Sequence, residues 1–274
     1  MATESLSPSI NQGMKICAIP FDIAYADVEN NLISAAHQLN QVEPDTDIVV
    51  LPELFTTSFV PDAKTIAEIA ETNDGHTVDT LKRWAQYFGF AIAGSFLAKG
   101  DNGKYYNRAF FVEPMGDVTF TDKRHLFPIS SESRTYTPGN ALPPTIRYRG
   151  WNIKLVVCYD LRFPVWTRNQ PENLYDLLIV PSNWPVARVK QFKLLLSARA
   201  VENQIYTVGC NRTGSDKFGD YTTGMSVIFD NLGDDIKETR RNGHIYALLD
   251  LQNLKEGRER FPAYLSTDRF TIDL

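Results

Sequence analysis

Three residues of this chain have the types and surroundings from which acyl chemistry is built. Cys158 ends an apolar, β-branched run in Lys154-Leu155-Val156-Val157-Cys158-Tyr159-Asp160-Leu161-Arg162-Phe163-Pro164, and the chain turns polar directly after the thiol. A buried strand that delivers a cysteine at its carboxyl end is one way in which α/β enzymes present a nucleophile. Glu53 closes Asp47-Ile48-Val49-Val50-Leu51-Pro52-Glu53 in the same manner, and Lys123 closes Val118-Thr119-Phe120-Thr121-Asp122-Lys123. A thiol needs a base to take its proton, and a carboxylate held beside it can serve. A tetrahedral oxyanion needs donors, and an ammonium together with the backbone N–H of Tyr159, immediately after the thiol, would supply them. Each residue also has a plainer reading: the cysteine as a small buried hydrophobe, the glutamate as a capping or paired carboxylate, the lysine as a solvated charge. For Cys17 and Cys210, which lie inside apolar strands, the plainer reading holds.

Other chemistries fit less well. None of the four histidines stands in a context suited to a Cys–His pair. Cys158, Asp160 and His125 have metal-ligand types, but no C-x-x-C or H-x-x-H spacing supports them, so no metal is expected. There is no glycine-rich phosphate loop, so no nucleotide cofactor is expected either.

The elements that must position these residues alternate in type. Strands are expected over Lys15–Ile23, Asp47–Glu53, Phe90–Phe96, Tyr105–Glu113 and Val118–Lys123, the third and fourth joined by the turn Lys99-Gly100-Asp101-Asn102-Gly103. Val28, Leu32, Ala35, Ala36 and Leu39 predict a helix over 27–40, and Val78, Leu81, Ala85 and Phe88 predict a second that Gly89 stops. Residues 125–147 carry four prolines (Pro128, Pro138, Pro143 and Pro144) and no clear period, which predicts an ordered loop that contributes to a site. After the nucleophile come a buried strand over 174–181, a long helix marked by Val186, Val189, Phe192, Leu196 and Ala200, strands over 205–211, 224–230 and 244–251, and a short helix over 254–261. The segments Asp47–Pro52 and Asp176–Pro181 echo each other. The expected class is α/β, with a polar, Ser-rich leader over 1–13 and a single domain over 14–274.

At 274 residues the chain is long enough for a sizeable core. A net charge of −5 with no basic cluster argues against nucleic acid and membrane surfaces as partners. No apolar stretch approaches the roughly 20 residues that span a bilayer. Three cysteines without close pairing predict a reducing, cytoplasmic setting.

At these same residues the chain resembles the nitrilase, or carbon–nitrogen hydrolase, superfamily. The resemblance runs from Met14 to about Phe261. That family's Glu–Lys–Cys triad corresponds to Glu53 in Leu-Pro-Glu-Leu-Phe-Thr-Thr, Lys123 in Asp-Lys-Arg-His-Leu-Phe and Cys158 in Cys-Tyr-Asp-Leu-Arg-Phe-Pro. Its second glutamate corresponds to Glu132 in Ser131-Glu132-Ser133, where serine replaces the common glycine. Together with Ser182-Asn183-Trp184-Pro185, Ala198-Arg199-Ala200-Val201-Glu202-Asn203-Gln204 and Gly209-Cys210-Asn211-Arg212, these motifs resemble the ω-amidase branch. The resemblance implies a four-layer αββα sandwich, a homodimer, no metal or organic cofactor, and hydrolysis of the terminal amide of 2-oxoglutaramate or 2-oxosuccinamate through a cysteine thioester. It further implies Arg162 as a contact for the substrate carboxylate, although Arg162 could equally brace Asp160 or Glu53. Arg134 is a second cation for that role, and Trp184, Phe59 and Tyr159 are candidate apolar walls. The alternatives are hydrolysis of an N-carbamoyl amino acid or a nitrile, and a binding protein that keeps the fold without turnover.

Overall fold

Apolar runs buried on both faces require cover on both sides, and the chain provides it with two facing sheets and flanking helices. A computed structural model describes residues 13–221 and 225–274. All but Gly13 of the expected leader, and residue 224 at the start of the strand expected over 224–230, lie outside the described residues. The first half comprises β1 (Gly13–Ala18), α1 (Val28–Leu39), β2 (Ile48–Val50), α2 (Ala63–Ile69), α3 (His76–Phe88), β3 (Ala91–Lys99), β4 (Tyr105–Val112), β5 (Val118–Asp122) and α4 (Glu132–Thr135). Then follow β6 (Ile146–Tyr148), β7 (Trp151–Leu155), β8 (Leu177–Ser182), α5 (Val189–Asn203), β9 (Tyr206–Asn211), β10 (Gly214–Asp216) and β11 (Gly219–Tyr221). β12 (Val227–Phe229), β13 (Glu238–Thr239), β14 (Ile245–Asp250) and α6 (Leu251–Arg260) complete it.

One sheet has the order β13-β14-β1-β2-β3-β4-β5 and the other β12-β9-β8-β7-β6. Each is parallel at its centre, through β1-β2-β3 in the first and β7-β8-β9 in the second, with antiparallel strands outside. The echo between Asp47–Pro52 and Asp176–Pro181 thus falls on β2 and β8, the middle strands of the two parallel triplets.

Strand alternation assigns the layers. Ile16, Ala18, Ile48, Val50, Ala91 and Ala93 face the second sheet, while Cys17, Val49 and Ile92 face Leu32, Ala35, Val78 and Leu81 of α1 and α3. The sheets approach closely enough for the Cys210 thiol to donate to the Val50 carbonyl at 3.2 Å. On its other side β9 meets α5, and Gly209 is required there. A Cβ at 209 would lie 2.3 Å from Leu196 Cδ1 and 2.7 Å from Phe192 Cζ.

Caps mark the helices that the sequence predicts. The Asp27 carboxylate accepts from Asn30 N, Asn40 closes α1, and Gly89 ends α3 in the left-handed region at φ 78°. α2, the β10–β11 hairpin and β13 were not anticipated. β1 is shorter than expected because Pro20, lacking an N–H, cannot extend the ladder. No helix among the described residues is long and apolar enough to cross a membrane.

One buried group should make the fold acid-sensitive. His244 is fully buried, with Nε2 2.8 Å from Gln38 Oε1 and Nδ1 3.1 Å from Asn242 Nδ2, a pattern that fits a neutral ring protonated on Nε2. Burial lowers its pKa to about 4. Its folded value lies below the unfolded one, so the contribution is present above about pH 6.5 and is lost as pH falls towards 4, to the extent of roughly 2–3 kcal/mol. Urea unfolding at pH 7 and 4.5 should show that much less acid destabilisation in His244→Gln than in wild type. Equal losses would contradict the assignment.

Candidate active site

Lys123 directly follows β5, but Glu53 and Cys158 are not at strand ends as the sequence suggested. Each sits three residues past its strand, β2 or β7, in a tight turn. The apolar runs overshoot the ladders because Leu51, Pro52, Val156 and Val157 remain buried between layers after strand pairing stops. Both turns use the left-handed region: φ is +48° at Leu54, +58° at Ser58 and +44° at Cys158, each costing on the order of 1–2 kcal/mol for a residue with a Cβ. Asp160 clamps the nucleophile turn. Its Oδ2 accepts from Val157 N at 3.1 Å, and its Oδ1 accepts from His125 N at 2.8 Å and lies 2.8 Å from His125 Nδ1. Those contacts engage both Asp160 oxygens, so neither Arg162 nor a metal is needed to explain this carboxylate.

The predicted catalytic side chains converge. Lys123 Nζ donates to Glu53 Oε1 at 2.9 Å and to Glu132 Oε1 and Oε2 at 2.8 and 3.1 Å. Glu53 Oε1 also accepts from Asn107 Nδ2 at 2.7 Å, and Oε2 accepts from the Asn183 backbone N–H at 2.8 Å. Asn107 is fixed in turn by Ser95 Oγ at 2.9 Å, which receives Leu54 N at 2.9 Å. Glu132 lies in the proline-rich loop, on the single turn α4, and its Oε2 takes the Phe127 N–H at 2.6 Å. All four groups, Glu53, Lys123, Glu132 and Cys158, are at least nine-tenths buried.

Burial in this cluster sets the protonation states. Burial pushes the Cys158 thiol well up and the Glu53 charge adds to that, with Lys123 opposing, so the resting sulfur is neutral. Burial disfavours the Lys123 ammonium, yet the Glu132 and Glu53 carboxylates outweigh it and hold the lysine well above its usual value. Burial raises Glu132, against the pull of Lys123. A neutral thiol beside a hydrogen-bonded carboxylate and a cation is what base-assisted attack on a carbonyl requires.

The cluster forms the floor of a cavity of about 410 Å³. Tyr159, Arg162 and Trp184 line it, as do Phe59 and Phe218, the latter from the β10–β11 hairpin. Among the described residues Arg162 pairs with no carboxylate; its guanidinium stacks 5.0 Å from the Trp184 ring and 5.9 Å from Tyr159. Arg134 is placed elsewhere: two residues is about 200° around a helical turn, so with Glu132 directed inward Arg134 is turned to solvent. Asn107, Asn183 and Arg188 were missed. Asn107, an amide inside a predicted strand, was the available signal, while Arg188 sits among helix-forming residues and gave none.

The architecture and the cluster can be set against known proteins. Residues 14–259 match the carbon–nitrogen hydrolase family. The chain belongs to that family. It is a hydrolase of carbon–nitrogen bonds, and its two sheets with flanking helices form the αββα sandwich of the nitrilase type. This carbon–nitrogen hydrolase is 39% identical over 261 residues to Omega-amidase YafV of Yersinia enterocolitica, with 94% of this chain and 98% of that protein covered. It is 31% identical to 2-oxoglutaramate amidase of Bacillus subtilis, with 91% and 95% covered. A CN-hydrolase superfamily protein of Xanthomonas campestris, solved with an arsenic adduct in its active site, superimposes with a TM-score of 0.88 at 34% identity, covering 95% of this chain and 99% of the other.

Proposed function

We propose that this hydrolase is an ω-amidase: it cleaves the terminal amide of a small 2-oxo dicarboxylate monoamide, such as 2-oxoglutaramate or 2-oxosuccinamate, to the dicarboxylate and ammonia. The observation that carries the reading is the buried Glu53–Lys123–Glu132–Cys158 cluster opening into a cavity that holds an Arg162 with no carboxylate partner among the described residues. The likeness to the two amidases supports the substrate class.

Cys158 attacks the amide carbon as Glu53 takes the thiol proton, and a C–S bond forms. Lys123 keeps Glu53 Oε1 and Glu132 Oε1 and turns the donor of its longer, 3.1 Å contact with Glu132 Oε2 to the oxyanion, beside the Tyr159 N–H. Glu53 returns its proton to the amide nitrogen, the C–N bond breaks, and ammonia leaves a thioester. Water, deprotonated by Glu53, then attacks the thioester, and the departing sulfur recovers the proton. Glu132 positions Lys123. Arg162 holds the distal carboxylate, with Trp184 and Phe59 as apolar walls.

Ammonia release from 2-oxoglutaramate and succinamate, measured for wild type and Cys158→Ala, tests this reading. Turnover that the substitution abolishes is the expected result. A wild type inactive on both amides would overturn the substrate class.

The same reading includes a homodimer. Leu194 and Val201 on α5, Val165, Phe261 and Leu265 are exposed apolar residues available to such an interface. Sedimentation should return twice the 31.0 kDa chain mass, and a monomer would remove this part.

A further inference from the structure

Arg188 is a cation of the cavity that the mechanism leaves without a task. It is half-buried, lines the same cavity as Cys158, and among the described residues its guanidinium makes neither a hydrogen bond nor an ion pair. Its backbone is fixed at both ends. Trp184 Nε1 donates to the Arg188 carbonyl at 2.8 Å, and Arg188 N donates to Pro185 O at 2.9 Å. Its guanidinium lies 5.2 Å from the centre of the Phe127 ring. A cation–π contact of this kind is no hydrogen bond, and among the described residues the guanidinium N–H donors have no acceptor.

The neighbouring acids cannot absorb it. Glu53 is held by Asn107, Lys123 and Asn183, Glu132 by Lys123 and Phe127 N, and Asp160 by His125 and Val157 N. Lys217, which also lines the cavity, lies 4.3 Å from the Tyr25 ring and 5.1 Å from the Phe218 ring, and its ammonium is a point charge without the planar fork of a guanidinium. Two unpaired guanidiniums therefore share one cavity. Trp184 bridges the two residues, with its ring against the Arg162 guanidinium and its indole N–H donating to the Arg188 backbone carbonyl. A single carboxylate satisfies one planar fork, whereas a carboxylate with an adjacent carbonyl offers a further acceptor in nearly the same plane.

We infer that Arg188 is a specificity-determining residue that reads the 2-oxo group of the substrate while Arg162 takes its carboxylate. The inference rests on the amidase reading for its substrate class. Together the two arginines select 2-oxo acid amides over amides carrying a plain carboxylate. Phe127, in the loop that also bears Glu132, supplies the platform on which Arg188 is set.

The test compares a keto and a non-keto ligand that need no turnover. Calorimetric Kd values for 2-oxoglutarate and glutarate would be measured on wild type, Arg188→Gln and Arg188→Lys. A donor bond to a charged group predicts about a 10- to 100-fold preference for 2-oxoglutarate in wild type, falling towards unity in R188Q and partly restored in R188K, which keeps charge and stem. For 2-oxoglutaramate hydrolysis, R188Q should raise KM about tenfold or more and change kcat by less than about threefold. A wild type without a keto preference, or an R188Q that weakens both ligands by the same factor, would overturn the inference. A protein that shows the Arg188-dependent preference yet releases no ammonia would support it and overturn the amidase reading. Turnover with an unchanged ligand ratio in R188Q would do the reverse.

Discussion

Replacing Lys123 with methionine should destabilise the folded protein by about 3–5 kcal/mol at pH 7 and abolish turnover. The size of the effect follows from what the ammonium leaves behind. Glu53 and Glu132 are both almost fully buried, and Lys123 Nζ is the cation within 2.8–2.9 Å of each. Removing it strands two carboxylates in the interior, and the remaining donors, Asn107, Asn183 N and Phe127 N, are neutral. The pH dependence has a definite sign. Burial already raises Glu132, and without the lysine that rise grows, so the folded variant binds a proton that the unfolded chain releases. The deficit relative to wild type should therefore shrink as pH falls from 7 to 5 and widen again as pH rises. Urea unfolding of wild type and K123M at both values reads it. A variant within about 1 kcal/mol of wild type at pH 7 would show that the cluster is not the tightly coupled unit described.

Glu53→Gln should lower kcat/KM by about 10³-fold or more while making the Cys158 thiol easier to ionise. The substitution preserves shape but deletes both the base and a negative charge next to the sulfur. Burial raises the thiol first and the Glu53 charge raises it further, so removal of that charge leaves the Lys123 attraction less opposed. The midpoint for alkylation of Cys158 by iodoacetamide should accordingly move to lower pH in E53Q. Slower catalysis with a more acidic thiol separates a base from a group that merely activates the nucleophile electrostatically. Undiminished turnover, or a midpoint displaced upward, would contradict the role given to Glu53.

Much of this site was legible because its chemistry falls on sharp changes in the sequence. Cys158 and Glu53 each follow an apolar run, which can only be a strand or the buried turn after it, and Lys123 ends the alternating strand Val118–Asp122. The helices declared themselves where polar caps met apolar periodicity, as with Asp27 and Gly89. What escaped was structure without burial contrast. α2 has seven residues of which only Ile66 is buried, too few for a period, and its signal was the Asp62 cap that accepts from Thr65 N. The β10–β11 hairpin is polar on both strands, yet buried Arg212 ties it down through Asp216 at 2.6 Å and Ser58 at 2.7 Å. The contact with Ser58, 154 residues away in sequence, leaves no local pattern. The positive φ at Cys158 was equally invisible, since its cost is offset by Asp160 and His125 across the loop rather than by a glycine at the site.

The most direct test of the account is the mass of the enzyme caught during turnover. Wild type mixed with 2-oxoglutaramate and quenched in acid within the first turnovers should carry an adduct equal to the substrate less ammonia. After digestion that adduct should map to the peptide containing Cys158, and it should be absent from Cys158→Ala. Hydrolysis that persists in the alanine variant, or an adduct on another residue, would contradict the claim that this thiol carries the acyl group.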